Sequence, residues 1–226
     1  MDALFNTLAF VVFPYLMLTV FVVGHAYRYL TDRFDWNAKS SELLDKERLR
    51  YGIYLFHGGI IFTFLGHFFG LLTPQWLLDK VGITAEMHDF VAINTGMLFG
   101  LMTLIGLILL LRRRVTNPRV RSAGSVNDVV VVALLIFVVL FGTYNTFFAR
   151  YDVLYSVAPW IRSIVTFTPD PDLMLPVPWS YKIHVLGAFT VLGFSPFTRL
   201  VHIWSVPVTY MIRPYLSFRR RAAGIP

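Results

Sequence analysis

Five long apolar runs, separated by polar and charge-bearing stretches, set the layout of this chain. They cover residues 4–27, 51–72, 90–111, 129–148 and 181–204. Each is close to the roughly 20 residues that a helix needs to cross a bilayer core. The pattern predicts an all-α polytopic membrane protein with five transmembrane helices, built as one domain over residues 1–226. Pro14 lies inside the first run and Pro196 inside the last. A proline is tolerated in a membrane helix because neighbours can satisfy the carbonyl it frees, but it kinks the helix. The first run starts almost at once, after MDA, with Asp2 and no basic leader. It reads as a retained helix and not as a cleaved signal.

The polar stretches give the runs a direction. Six of the 20 Lys/Arg residues lie in 28–50, and five (Arg112, Arg113, Arg114, Arg119, Arg121) follow the third run. Five more (Arg199, Arg213, Arg219, Arg220, Arg221) are at the C-terminal end. The 72–89 loop holds only Lys80, and 150–182 holds Arg150, Arg162 and Lys182. Short loops rich in Lys/Arg stay in the cytoplasm. The expectation is therefore an outside N-terminus and a cytoplasmic C-terminus. The 149–180 segment, with five prolines, reads as a long outer loop, and Trp76, Trp160 and Trp179 suit the membrane interface. The SSELLDKERLR stretch reads as a short surface helix leading into the second span.

Composition narrows the chemistry. The chain is 56% hydrophobic and only 15% charged, as expected for a bilayer protein. Its net charge of +7 fits topology and contact with anionic lipid, not binding of nucleic acid. It has no cysteine. That excludes disulfides, cysteine-ligated iron–sulfur clusters, thiolate-ligated haem and covalently attached c-type haem. A metal or haem must be held mainly by histidine.

Four of the six histidines fall inside apolar runs: His57 and His67 on the second, His184 and His202 on the fifth. The second run points outward and the fifth inward, so His57 and His202 share the inner level while His67 and His184 share the outer one. Ten and eighteen helical residues span about 15 and about 27 Å, which places two sites about 20 Å apart. The mismatch requires tilt or a bend, for which Pro196 is the candidate. Ten residues also turn an ideal helix by about 1000°, leaving His57 and His67 roughly 80° apart in angle. Two bis-histidine haems fit this best, each iron six-coordinate and limited to carrying electrons. Gly58, Gly59, Gly66, Gly70 and Gly187 would clear room for the macrocycles, with Phe56, Phe62, Phe64, Phe68 and Phe69 packing on them. Gly66-x-x-x-Gly70 is equally a helix-packing pattern. Four ligands at two depths cannot converge on one structural zinc. A haem-free membrane anchor with a histidine proton relay stays open, although Asp and Glu are absent from the interiors of spans two to five.

HFFGLLTPQW, RLVHIWSVPV, the SSELLD segment and RRRVTNPRVRS resemble the gamma subunit of membrane-bound respiratory nitrate reductase. The resemblance covers nearly the whole chain. A related cytochrome b from a sulfur-metabolism reductase complex is the alternative. The resemblance implies a di-haem cytochrome b in a prokaryotic cytoplasmic membrane. It implies His67 and His184 as axial ligands of the distal haem b, and His57 and His202 of the proximal one. It also implies that membrane quinol is oxidised near the outer face. Electrons then pass inward to an iron–sulfur beta subunit and a molybdenum alpha subunit on the cytoplasmic side, where nitrate is reduced to nitrite. The chain itself has no residues for nitrate chemistry. Gly66 and His67 match the implied quinol-binding region. Where the family's best-known member carries a lysine just before helix three, this chain has Met87 and His88, so His88 is expected to be either the polar contact to quinol or an exposed loop histidine. Arg112–Arg114 and Arg199 are expected either to anchor topology or to meet propionates of the inner haem.

Overall fold

A computed structural model describes residues 3–32, 36 and 42–205. Arg33, Lys39, Arg213 and Arg219–Arg221, which entered the charge argument, lie outside these residues, as does the end of RLVHIWSVPV. Every regular element among the described residues is helical. In chain order it has α1 (Ala3–Thr31), α2 (Lys46–Leu72), α3 (Gln75–Lys80), α4 (Ala85–Thr116), α5 (Pro118–Ser122), α6 (Val126–Ala149), α7 (Val157–Val165) and α8 (Trp179–Phe194). Two 3₁₀ turns follow, Ser195–Phe197 and Arg199–Ile203. Four described helices are long and apolar enough to cross a membrane: Ala3–Thr31, Leu49–Leu72, Ala85–Thr116 and Val126–Ala149. In the bundle α2 packs on α4, α4 on α6, α6 on α8, and α8 on α1.

The starts and stops follow local chemistry. Thr84 accepts from the Met87 amide at 3.2 Å to open α4. Asn117 accepts from Arg119 and Val120 to open α5, whose first residue is Pro118. Ser125 and Asp128 form a reciprocal capping box at the start of α6. The KERLR end of the expected surface helix is continuous with α2, preceded by a 3₁₀ turn at Glu42–Leu44.

The two prolines act differently. Pro14 has no N–H to return to the carbonyl of Phe10, four residues back. The indole of Trp160 supplies that bond at 3.0 Å, and α1 continues through a π turn at Leu8–Val12. Trp160, expected at the interface, is 0% exposed. It belongs to a buried cluster with Phe10, Val157, Ile164, Met174, Val177 and Val185. The expected outer loop is thus well packed, because α7 folds back against α1, α2 and α8. Trp76 and Trp179 are exposed, as an interface position requires. Pro196, by contrast, ends its helix. The run expected as one helix over 181–204 stops at Phe194, where the Leu192 carbonyl accepts from both the amide and the hydroxyl of Ser195.

Glycine use also departs from expectation. A Cβ on Gly59 would lie 2.5 Å from the Thr103 amide and 2.7 Å from the Phe99 carbonyl. A Cβ on Gly106 would run into the Phe56 backbone. These two glycines let α2 and α4 touch backbone to backbone. A Cβ on Gly187 would lie 2.8 Å from a methyl of Val138 on α6, so it too serves packing.

Candidate functional site

The four histidines meet in two pairs, as their spacing predicts. In the first pair the rings of His57 and His202 have centres 6.1 Å apart and planes at 64°. His57 projects from α2 with Nδ1 against the Ile53 carbonyl at 3.1 Å. His202 projects from the second 3₁₀ turn with Nδ1 against the Arg199 carbonyl at 2.6 Å. It is therefore not part of a fifth helix. In the second pair His67 and His184 have centres 6.0 Å apart and planes at 40°. His67 Nδ1 lies 2.8 Å from the Thr63 carbonyl of its own helix, and His184 Nδ1 lies 2.8 Å from the Val138 carbonyl of α6.

These contacts fix the tautomers. A carbonyl can only accept, so Nδ1 carries the hydrogen on all four rings, and in the neutral imidazole the Nε2 lone pair is left for a ligand. An imidazole nitrogen binds a first-row metal ion at about 2.0–2.1 Å, with the ring centre about 1.1 Å behind it. Two imidazoles on opposite sides of one ion therefore have centres about 6.2 Å apart. Both observed separations match. Among the described residues no three of His, Cys, Asp and Glu gather. Each site thus offers two imidazole nitrogens, which suits an axial pair on haem iron and not a tetrahedral ion.

Glycines shape the second pair closely. A Cβ on Gly142 of α6 would lie 2.7 Å from His184 Cε1 and 3.1 Å from its Nδ1, so only glycine lets this ring reach its place. A Cβ on Gly66 would meet nothing within 4 Å. Gly66 is therefore not packed on a neighbouring helix, and the packing reading of Gly66-x-x-x-Gly70 does not hold there. Gly70 lies below His88, whose Nε2 would be 3.3 Å from a Cβ at that position. Phe62, Phe64, Phe68 and Phe69 are exposed on α2, whereas Phe56 is buried at the Gly106 crossing.

The other two histidines differ in kind. Trp36 Nε1 donates to His25 Nδ1 at 3.3 Å, and His25 Nε2 faces Ser195 Oγ at 3.3 Å. Both nitrogens are engaged, within a ring cluster of Phe21, Trp36 and Trp204. His88 sits in the first turn of α4 with its side chain 11% exposed and Nδ1 3.4 Å from Asp89 Oδ1. It is a packed helix residue, not an exposed loop one. Near it Arg162 of α7 donates to the carbonyls of Leu71 and Thr73, closing the end of α2. Burial pushes the Arg162 guanidinium below its usual value.

Arg113 and Arg114, near the end of α4, and Arg199 have carboxylate partners. Arg114 Nη1 lies 2.6 Å from Asp128, and Arg113 Nε lies 3.8 Å from Asp45. Arg199 Nε lies 3.7 Å from the other oxygen of Asp128. Arg112 is exposed. Sequence reasoning missed Gly142, the buried role of Trp160 and the Asn127–Asp128 pair. Only the last left a local trace, the S-x-x-D capping pattern from Ser125 to Asp128.

The bundle and the site together define a polytopic helical membrane protein with two sites, each built from facing imidazoles. Residues 6–221 match the model of the nitrate reductase gamma subunit family. The chain is 40% identical over 215 residues to the nitrate reductase gamma chain of Bacillus subtilis, covering 93% of this chain and 96% of that one. It is 34% identical over 221 residues to the respiratory nitrate reductase 1 gamma chain of Escherichia coli, covering 96% and 98%. It is 36% identical to the second such gamma chain of that organism, covering 96% and 97%. The chain belongs to the nitrate reductase gamma subunit family. It is accordingly a multi-pass protein of a bacterial inner membrane and a subunit of an oxidoreductase complex.

Proposed function

We propose that this chain is the quinol-oxidising di-haem cytochrome b of a respiratory nitrate reductase. His67 and His184 hold the outer haem, and His57 and His202 hold the inner one. The two histidine pairs carry this reading, each with Nδ1 tied to a carbonyl and ring centres at a separation that suits one iron. When bound, haem b would supply a one-electron centre, held by the imidazoles of these two pairs. The residues do the rest. Carbonyls hold each imidazole in the neutral tautomer, and Gly142 admits the His184 ring. The chain thereby joins quinol at the outer face to an iron–sulfur beta subunit and a molybdenum alpha subunit on the cytoplasmic side, where nitrate becomes nitrite.

The proposed topology has five spans, with the N-terminus outside and the C-terminus in the cytoplasm. α8 has 16 residues, about 24 Å of helix. Its 3₁₀ extension brings the run close to the roughly 30 Å of a bilayer core. The arginine-rich ends of α4 and of the fifth run lie together through Asp128, in keeping with one cytoplasmic side. Quinol binds beside Gly66 and His67, with His88 as its titratable contact. His88 lies over Gly70, one helical turn beyond Gly66. A reduced-minus-oxidised spectrum of the complex, purified in mild detergent with haem quantification, tests the reading. Two b-type haems per chain are expected, and absence of haem defeats it.

A further inference from the structure

The stretch that carries His202 lacks a helix's own ladder. Residues 195–203 make two 3₁₀ turns with extended Thr198 between them. Backbone groups there must find partners elsewhere, and these come from two helices far away in sequence. Arg28, near the end of α1, donates from Nη1 to the Pro196 carbonyl at 2.7 Å. Asn127, in the first turn of α6, donates from Nδ2 to the Phe197 carbonyl at 2.5 Å. The neighbouring Asp128 lies 3.7 Å from Arg199 Nε and 2.6 Å from Arg114 Nη1. The Arg199 carbonyl is in turn the acceptor for His202 Nδ1.

Helix capping does not account for Asn127. Ser125 and Asp128 already close the capping box, so the Asn127 side chain is free of that duty. It instead reaches 70 residues along the chain to one particular carbonyl.

We propose that Asn127 and Asp128 of α6, with Arg28 of α1, form a clamp that sets the orientation of His202. They are positioning residues for the inner ligand pair. The proposal rests on the reading that this pair holds a haem iron. Asn127 and Arg28 fix the carbonyls on either side of the Pro196–Phe197 bond, and Asp128 fixes Arg199. Together they set the carbonyl that dictates the rotation of the His202 ring. No counterpart is needed at His67 or His184, which sit on regular helices.

The test is made on the assembled complex. The angle between two axial imidazole planes splits the iron d orbitals and so sets the low-field g value of a ferric low-spin centre. Asn127→Ala is expected to shift the EPR low-field feature and the midpoint potential of the inner haem, and to leave those of the outer haem in place. Asp128→Asn keeps the side chain's shape and a cap acceptor while weakening its hold on Arg199, and is expected to act in the same direction. Selective loss of the inner haem in either variant also supports the clamp. An inner-haem signal unchanged in both variants overturns it. So do equal shifts at both haems, which would mean general loosening. If the unmodified complex holds no haem, the site reading itself fails, and the clamp with it.

Discussion

His184 sits within a regular helix, with its ring laid over Gly142 and its Nδ1 bonded to a carbonyl of the helix opposite. His202 sits eight residues beyond the last turn of that same helix, on a short 3₁₀ turn held by side chains of α1 and α6. Both have a partner ring whose centre is about 6 Å away. One geometry is thus reached by two means. At the outer pair backbone packing decides, and a missing Cβ is the decisive feature. At the inner pair polar side chains decide, and the backbone is free to leave the helix. The outer pair should therefore respond to added volume and the inner pair to lost hydrogen bonds.

Three substitutions break or sharpen that contrast. Gly142→Val has the largest expected effect, since its Cβ alone would stand 2.7 Å from His184 Cε1. The outer haem is lost and the inner one kept, so the haem-to-protein ratio halves. A variant that retains both haems would show that packing does not decide this site. His88→Ala comes next. Both haems remain, and quinol-driven haem reduction slows by roughly 100-fold, the low end for a general acid–base group. An unchanged rate and unchanged sensitivity to quinol-site inhibitors would remove His88 from the site. Trp160→Phe has the smallest effect. It leaves the Phe10 carbonyl buried without its donor, at a cost of about 1–3 kcal/mol. Heat denaturation followed through the haem spectrum should begin earlier at the outer haem. Simultaneous loss of both haem signals would mean that the Trp160 contact supports the whole bundle and not one end.

Much of this was legible in the sequence. The four long spans follow from uninterrupted apolar runs, and the pairing of the histidines follows from their depth on antiparallel elements. Both are properties of spacing, which a sequence records directly. Pro196 was read as a kink, because the residues that let the chain leave the helix there, Arg28 and Asn127, lie about 170 and 70 positions away. Trp160 was read as an interface residue, because the carbonyl it serves is orphaned by Pro14, 146 positions earlier. Gly59 and Gly187 looked like room for a cofactor but serve helix contacts, since a glycine does not record what approaches it. Gly142 was passed over for the same reason.

The central claim is the pairing of His57 with His202 and of His67 with His184. Haem content and potentiometric spectra of the His184→Ala and His202→Ala complexes, measured side by side, test it most directly. The account predicts one haem per chain in each. The haem left in His202→Ala is still reduced by quinol, whereas the one left in His184→Ala is cut off from quinol at the outer face. Two haems retained in both variants, or loss of the same haem in both, would contradict the pairing.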